Sequence, residues 1–215
     1  MKKMLLAIAL ALSATSVFAQ SSSNLVAGQD YDPVNVTAQQ AIAQPKVGKP
    51  LVIEFFWYGC PHCYHMEPMV KKLLADRKDQ IEFIRIHAGF PNWASGAKLS
   101  LTVKEMGLED KLHDAIFNTI HAQHINIMDD AQKREQFLKS QGVDVAKFNE
   151  VYNSFGIATK MKQLQATSIA YKIQSTPSFV IDNKYEVHPG LPNLKSYEDT
   201  MKVLNELIDK EKAAK

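Results

Sequence analysis

The sequence predicts an α/β fold in which a mixed central sheet is flanked by helices and carries an all-helical insertion. Two strand-like segments, 51–57 and 81–87, enclose a stretch of helical periodicity. A long helical block, 95–173, follows, and strand signals return only after it. Without the block, a strand–helix–strand unit joins a hairpin and a helix, a compact arrangement for one sheet. We therefore assign 20–94 and 174–215 to the sheet domain and 95–173 to the inserted helical domain.

The first 19 residues have the pattern of an export signal. A lysine pair precedes the apolar run Met4–Leu12, and Val17–Ala19 has the shape of a signal-peptidase site. The apolar run is too short for a membrane helix, which needs about 20 apolar residues. We expect cleavage after Ala19, which leaves a soluble mature chain of 196 residues (215 minus 19) starting at Gln20.

The next segment is a polar arm that leads into the first strong strand. Ser21–Gly48 is interrupted by prolines and offers one short strand near Val34–Val36. Leu51–Trp57 is apolar except for Glu54 and is rich in branched and aromatic residues. This composition is typical of a central strand that is covered on both faces.

After the cysteines the hydrophobic period changes to that of a helix. The apolar residues at helical spacing are Met66, Met69, Val70, Leu73 and Leu74. Pro68 is expected to kink this helix, because proline removes a backbone donor and crowds the preceding turn. Ile81–His87 then alternates apolar and polar residues and predicts the second strand.

Four or five helices of ordinary length fit the inserted block. Gly107 and Gly142 stand where helices are expected to end, and Asp129 and Asp144 are candidate N-caps. After the block, the sequence predicts a strand at 178–181, a turn at Asp182 and Asn183, and a strand at 184–188. The last helix has one apolar face, formed by Tyr197, Met201, Leu204 and Leu207.

The sequence Cys60-Pro61-His62-Cys63 contains both cysteines of the chain. A pair at this spacing, between a buried strand and a helix, suits a dithiol that forms and breaks one disulfide. Such a bridge closes a very small loop, so it removes little freedom from the unfolded chain and is not there for stability. The motif predicts a thiol–disulfide oxidoreductase.

The position of each residue in the motif suggests a role. We expect Cys60 at the helix start, where unpaired N–H groups and the helix dipole lower its pKa and make it the exposed, reactive thiol. Pro61 suits the first helical position. Cys63, one turn further in, is expected to be the more buried, resolving partner. The His62 ring can donate a hydrogen bond or present a positive charge to the Cys60 thiolate, which makes the disulfide more oxidising.

Glu54 is a lone carboxyl in an apolar strand, where an unpaired charge is costly. It has two interpretations: a proton acceptor or relay for Cys63, or a carboxyl paired with Arg85 on the neighbouring strand. The two can hold together. At the start of the return strand, Thr176-Pro177 is an X-Pro bond for which the sequence alone favours the trans form.

Charge and ligand patterns exclude several function classes. Without the signal, the 25 basic residues fall to 23, which equals the 23 acidic residues, so nucleic acid is not an expected partner. Two cysteines with a nearby histidine do not supply the four ligands of a closed metal site. Haem attachment needs a histidine directly after the second cysteine, where Tyr64 stands. His121 and His124 are close enough on a helix to share a ligand, but a solvated helix face is the commoner explanation. We expect no cofactor besides the Cys60–Cys63 disulfide.

At these residues the chain resembles the DsbA family of thioredoxin-fold periplasmic disulfide oxidases. The matching segments are Val52–Phe56, Cys60–Tyr64, the helical insertion and Ser175–Phe179. The resemblance implies a thioredoxin fold with Cys60 as nucleophile, Cys63 as its partner, His62 as thiolate stabiliser and Glu54 as the buried acid. It also implies a cis bond at Thr176-Pro177 that faces the cysteines, with the Thr176 backbone pairing with an extended substrate.

The resemblance further implies partners and location. A periplasmic monomer would donate its disulfide to reduced, newly exported proteins and be re-oxidised by a DsbB-type membrane quinone reductase. Two alternatives remain. One is a disulfide isomerase or reductant that uses the same cysteines. The other is a chaperone-like module that holds unfolded chains on apolar surface around Trp57, Tyr58, Met66 and Pro177.

Overall fold

The computed structural model describes residues 24–214, and the bounds of its elements follow. The strands are β1 (Asp32–Pro33), β2 (Leu51–Phe56), β3 (Glu82–His87), β4 (Ser178–Ile181) and β5 (Tyr185–Val187). The helices are α1 (Pro61–Asp76), α2 (Ala94–Glu105), α3 (Glu109–His121), α4 (Ala131–Ser140), α5 (Val145–Tyr152), α6 (Phe155–Ala170) and α7 (Tyr197–Ala213). The expected export signal, 1–19, and its cleavage lie outside the described residues.

The strands form one mixed sheet in the order β1-β5-β4-β2-β3. Only the β2–β3 pair among these is parallel, because α1 carries the chain back across the sheet between them. All six residues of β2 are buried, as predicted for a central strand. The structure therefore confirms the mixed sheet flanked by helices.

The first strand was predicted a few residues too late. The edge strand β1 covers Asp32–Pro33, whereas Val34–Val36 lies beyond it. The N–H of Val34 still donates to the carbonyl oxygen of Lys184, at 2.9 Å, and the chain then leaves the sheet. Val34 and Val36 instead pack against a core cluster below the sheet, so their apolar character reflects packing rather than strand pairing.

The β4–β5 hairpin turns where the sequence predicted. Asp182 and Asn183 have φ values of 49° and 59°. A two-residue hairpin turn of this kind needs left-handed conformations, which Asp and Asn adopt more readily than most residues.

Five helices, α2 to α6, lie between β3 and β4. Gly107 and Gly142 follow helix ends with φ values of 65° and 62°, as glycine caps require. Asp144 caps α5 as predicted, but α4 is capped by Asp130 rather than Asp129. The Asp130 side chain accepts from the N–H of Lys133, whereas Asp129 accepts from Asn126 before the helix. The boundaries of the inserted domain stay a prediction.

The core has three parts. One, between the sheet, α1 and α7, contains Val52, Phe179 and Leu204. A second fills the helical block and reaches both cysteines. The third covers the opposite face of the sheet and contains Leu51, Phe55 and Val180 among others. Within residues 24–214, no helix combines the length and apolar character that a membrane span requires.

Candidate active site

The two cysteines lie at the junction between β2 and α1. Cys60 is the N-cap of α1, with φ −85° and ψ 116°, and Pro61 follows at the first helical position. The N–H of Cys63 donates to Cys60 Sγ at 3.4 Å. The Cys60 sulfur therefore occupies the end of the helix where unpaired N–H groups and the positive end of the dipole favour a negative charge.

Neither sulfur is open to solvent. Cys63 is 1% exposed and Cys60 5%, so Cys63 is the more buried, but the prediction of an exposed Cys60 is wrong. The segment around Pro177 covers it, and the Thr176 carbonyl oxygen accepts from the Cys60 S–H at 3.2 Å. The Thr176-Pro177 bond is cis, as the family resemblance implied.

Hydrogen bonds to its sulfur lower the pKa of Cys60 from its ordinary value to about 5. The largest effect comes from the Cys63 thiol, and the Thr176 side chain and the backbone N–H groups of Cys63 and His62 add to it. Burial, reinforced by the neighbouring Cys60 sulfur, raises the pKa of Cys63 well above its usual range. At neutral pH the reduced pair therefore holds its negative charge on Cys60 and its proton on Cys63.

The His62 ring points to a partner that the sequence did not suggest. Its Nδ1 lies 2.6 Å from the hydroxyl of Tyr197, the first residue of α7. The stabilisation of Cys60 by His62 in this structure comes from the backbone N–H. The ring itself is exposed, so its proposed effect on the thiolate acts from the rim of the site rather than by direct contact.

A groove opens beside the cysteines, with a volume of about 590 Å³. Its walls come from three segments: His62 of α1, Ser175 and Thr176, and the stretch from Pro189 to Tyr197. The groove lies along the backbone of Thr176, the residue whose carbonyl oxygen reaches Cys60. It is large enough to receive part of an extended peptide next to the reactive sulfur.

A buried ionic cluster lies beneath the junction. Arg85 Nε donates to Glu54 Oε2 at 2.5 Å, and Arg85 Nη2 lies 3.0 Å from Glu67 Oε2. The predicted pairing of Glu54 with Arg85 is therefore confirmed. His113 of α3 continues the cluster, with Nε2 3.3 Å from Glu67 Oε2 and Nδ1 3.1 Å from the Tyr58 hydroxyl.

Burial raises the pKa of Glu54, and the attraction of Arg85 offsets only part of that effect. Glu54 also acts electrostatically on Cys63, whose pKa its charge helps to raise. A carboxyl with a raised pKa near a buried thiol can hold a proton that the thiol later needs. The relay interpretation thus remains compatible with the ion pair, and the relay itself stays a prediction.

Sequence reasoning missed Glu67, His113 and Tyr197. Glu67 had a usable signal, because it lies four residues after Cys63 and so shares its helix face. His113 and Tyr197 are brought to the site by α3 and α7, and no local pattern marks them.

Two other sequence interpretations fail. Tyr58 and Met66 are 1% and 0% exposed, so they belong to the core and do not form a surface for unfolded chains. His121 does not lie on a solvated helix face. Its Nε2 lies 2.8 Å from the Tyr58 carbonyl oxygen, and its ring stacks on Tyr64 with centroids 4.9 Å apart.

The turn before Cys60 requires glycine, because a Cβ on Gly59 would lie 2.4 Å from the Trp57 ring. That ring is stacked on Trp93, with centroids 4.5 Å apart and planes at 3°. We expect Gly59→Ala to displace the ring, to lower the free energy of unfolding by about 1–3 kcal/mol and to change the tryptophan fluorescence. Gly156→Ala is the control, since its nearest atom is 3.7 Å away. Equal urea midpoints for Gly59→Ala and the wild type would show that the ring moves freely.

Comparison with known proteins gives a consistent result. Residues 80–202 match the family model described as a DSBA-like thioredoxin domain. The chain is 34% identical over 219 residues to the thiol:disulfide interchange protein DsbA of Pseudomonas aeruginosa, covering 100% of this chain and 99% of that protein. It is 36% identical over 210 residues to the protein of the same name from Burkholderia cepacia, covering 97% and 96%.

Solved structures agree with the sequence matches. The crystal structure of Pseudomonas aeruginosa DsbA superposes with a TM-score of 0.77 at 34% identity, covering 88% of this chain and 96% of that one. The oxidoreductase DsbA from Xylella fastidiosa gives a TM-score of 0.76 at 25% identity, covering 88% and 98%. The similarity therefore extends over the sheet, the cysteine junction and the helical block together.

Proposed function

This chain belongs to the DsbA family and is a protein-disulfide oxidoreductase, and from that premise we propose that it donates the Cys60–Cys63 disulfide to reduced, newly exported proteins. The observation that carries the direction is the low pKa of Cys60. A disulfide whose reduced form contains a stabilised thiolate gives up its oxidising equivalents readily, and that thiolate is a good leaving group.

The proposed reaction has two exchange steps. A substrate thiolate attacks Cys60 Sγ, the Cys60–Cys63 bond breaks, and Cys63 leaves with the electron pair and takes up one proton. A second substrate thiolate then attacks the substrate sulfur of the mixed disulfide, which releases Cys60 as a thiolate. The substrate loses two electrons, and the protein gains them as one thiol and one thiolate.

Each remaining site residue has a proposed role in these steps. Glu54 supplies or accepts the proton of Cys63. Thr176 and Pro177 border the groove, where the Thr176 backbone would pair with an extended substrate, and His62 tunes the Cys60 thiolate from the rim. The proposed cycle closes in the periplasm, after cleavage following Ala19, when a DsbB-type quinone-linked membrane oxidase re-oxidises the monomer.

Trapping of the mixed disulfide tests this function. We expect Cys63→Ser, activated at Cys60 as a mixed disulfide with a small thiol, to exchange that thiol for a reduced substrate protein and to keep the substrate bound. Mass spectrometry of the adduct is the measurement. Cys60→Ser is the matched control and should form no adduct. Absence of any adduct with Cys63→Ser would contradict a mixed disulfide at Cys60.

The direction is tested separately by equilibrium with glutathione, followed by thiol trapping of the wild-type protein. We expect a reduction potential at least 50 mV above the roughly −270 mV of thioredoxin. A value at or below that of thioredoxin would point to a reductant instead. A double Cys60→Ser, Cys63→Ser variant that still suppressed aggregation would add a holding activity.

A further inference from the structure

We propose that Glu186 is a positioning residue that holds the segment 175–177 against the cysteines through the hydroxyl group of Ser178. The inference rests on the proposed function, because this segment borders the groove where a substrate peptide would pair. Glu186 lies on β5, outside the ionic cluster of Glu54, and the reaction described above does not use it.

Glu186 is a buried carboxyl on the other face of the sheet from Glu54. It lies opposite Val180 of β4, and Val180 packs in the third core cluster. Glu54 lies opposite Phe179, which packs in the first. Glu186 is 8% exposed, and within residues 24–214 no lysine, arginine or histidine forms an ion pair with it. A buried carboxyl of this kind is favoured in its neutral form.

A chain of hydrogen bonds connects Glu186 to the reactive sulfur. The Ser178 hydroxyl donates to the Ser175 carbonyl oxygen at 2.9 Å and also bonds the Glu186 carboxyl. A hydroxyl has only one proton to donate. While Ser178 donates to Ser175, it can only accept from Glu186, and this requires a protonated carboxyl. Ser175 directly precedes Thr176, whose carbonyl oxygen lies 3.2 Å from Cys60 Sγ.

The surroundings of Glu186 place its titration in a useful range. Burial, with the charge of Asp32 directly across on β1, raises the pKa of Glu186 to about 7, while the bond from Ser178 opposes the shift. His188, the next residue on this face, has Nε2 3.5 Å from Asp32 Oδ2. Tyr171, the tyrosine of the third core cluster, directs its hydroxyl away to Asn183.

The sign follows from the proton count. Below about pH 7, Glu186 is protonated and donates to Ser178, and Ser178 donates to Ser175, so the loop is held. Above it, the carboxylate accepts the Ser178 proton, and the Ser175 carbonyl oxygen loses its donor. Substrate should therefore bind more weakly at pH 8 than at pH 6.

Single-turnover oxidation of a reduced two-cysteine peptide by the oxidised protein tests the inference. The half-saturating peptide concentration should rise about three- to tenfold from pH 6 to pH 8, as expected for the loss of one buried hydrogen bond. The maximal rate reports separately on thiol ionisation. Glu186→Gln should keep the low value at both pH values, because its amide donates to Ser178 regardless of pH. Ser178→Ala and Glu186→Leu should give the high value at both.

Glu82→Gln is the matched control, because Glu82 lies on β3 at the opposite edge of the sheet. It should retain the wild-type pH step. The same step in Glu186→Gln, or wild-type behaviour in Ser178→Ala, would overturn the inference.

A spectroscopic titration separates this inference from the proposed function. The ¹³C signal of the Glu186 carboxyl should titrate near pH 7 in the wild type and should move in Ser178→Ala. A midpoint near that of an ordinary glutamate would refute the positioning role even in an active enzyme. A protein that oxidised no peptide at either pH, but showed the expected titration, would count against the proposed function alone.

Discussion

Replacing Arg85 with methionine is expected to lower the free energy of unfolding by about 3–5 kcal/mol. The guanidinium lies between two buried carboxyls, Glu54 at 2% exposure and Glu67 at 6%. Removing one member of a buried ionic cluster leaves the other charges without compensation in a medium that solvates them poorly. Denaturant unfolding at pH 7, monitored by circular dichroism, measures the loss.

Two further variants give the result its meaning. Arg77→Met removes a comparable ion pair at the surface, where the partner Asp209 is 59% exposed, and should cost at most about 1 kcal/mol. Adding Glu54→Gln and Glu67→Gln to Arg85→Met should recover most of the loss, because neutral amides need no cation. The loss should also shrink as the pH falls from 7 to 5, since protonated carboxyls carry no charge. A loss under 1 kcal/mol at pH 7 would show that the carboxyls are neutral already.

The features that the sequence predicted are those that a short segment determines. The strand–helix junction at Cys60, the hairpin turn at Asp182 and the helix end at Gly107 each depend on the conformational preferences of a few neighbouring residues. The pairing of Glu54 with Arg85 was also accessible, because both lie in strands that the pattern predicts as neighbours in one sheet.

The features that the sequence did not predict depend on contacts between distant segments. Cys60 was expected to be exposed, yet Thr176, 116 residues further along the chain, covers it. The His62 ring bonds Tyr197 across 135 residues, and His113 joins the ionic cluster from the helical block. The choice of Asp130 over Asp129 as N-cap is a finer case, because both are good caps and only the entry angle of the chain selects one. Periodicity carries no information on such choices.

The reduced protein is expected to be more stable than the oxidised protein at neutral pH. The pKa of Cys60 is about 5 in the folded protein, below the roughly 8.5 of an unfolded cysteine. A depressed acid pKa stabilises the folded state at pH values above it, and the contribution is lost as the pH falls through about 5. Allowing for partial solvent screening, the gain at pH 7 is about 2 kcal/mol. The disulfide closes too small a loop to offset this gain through chain entropy.

Thermal or denaturant unfolding of both redox forms at pH 7, 5.5 and 4 measures this difference. The advantage of the reduced form should fall by about 2 kcal/mol from pH 7 to pH 4, which corresponds to about 4–8 °C in Tm for a chain of this size. Reduced Cys60→Ser, which has no thiolate at this position, should lack that pH dependence. The folding preference and the redox preference are linked, because whatever stabilises the folded dithiol also makes the folded disulfide a stronger oxidant. A more stable oxidised form at pH 7 would therefore contradict both the low pKa of Cys60 and the proposed direction of disulfide transfer.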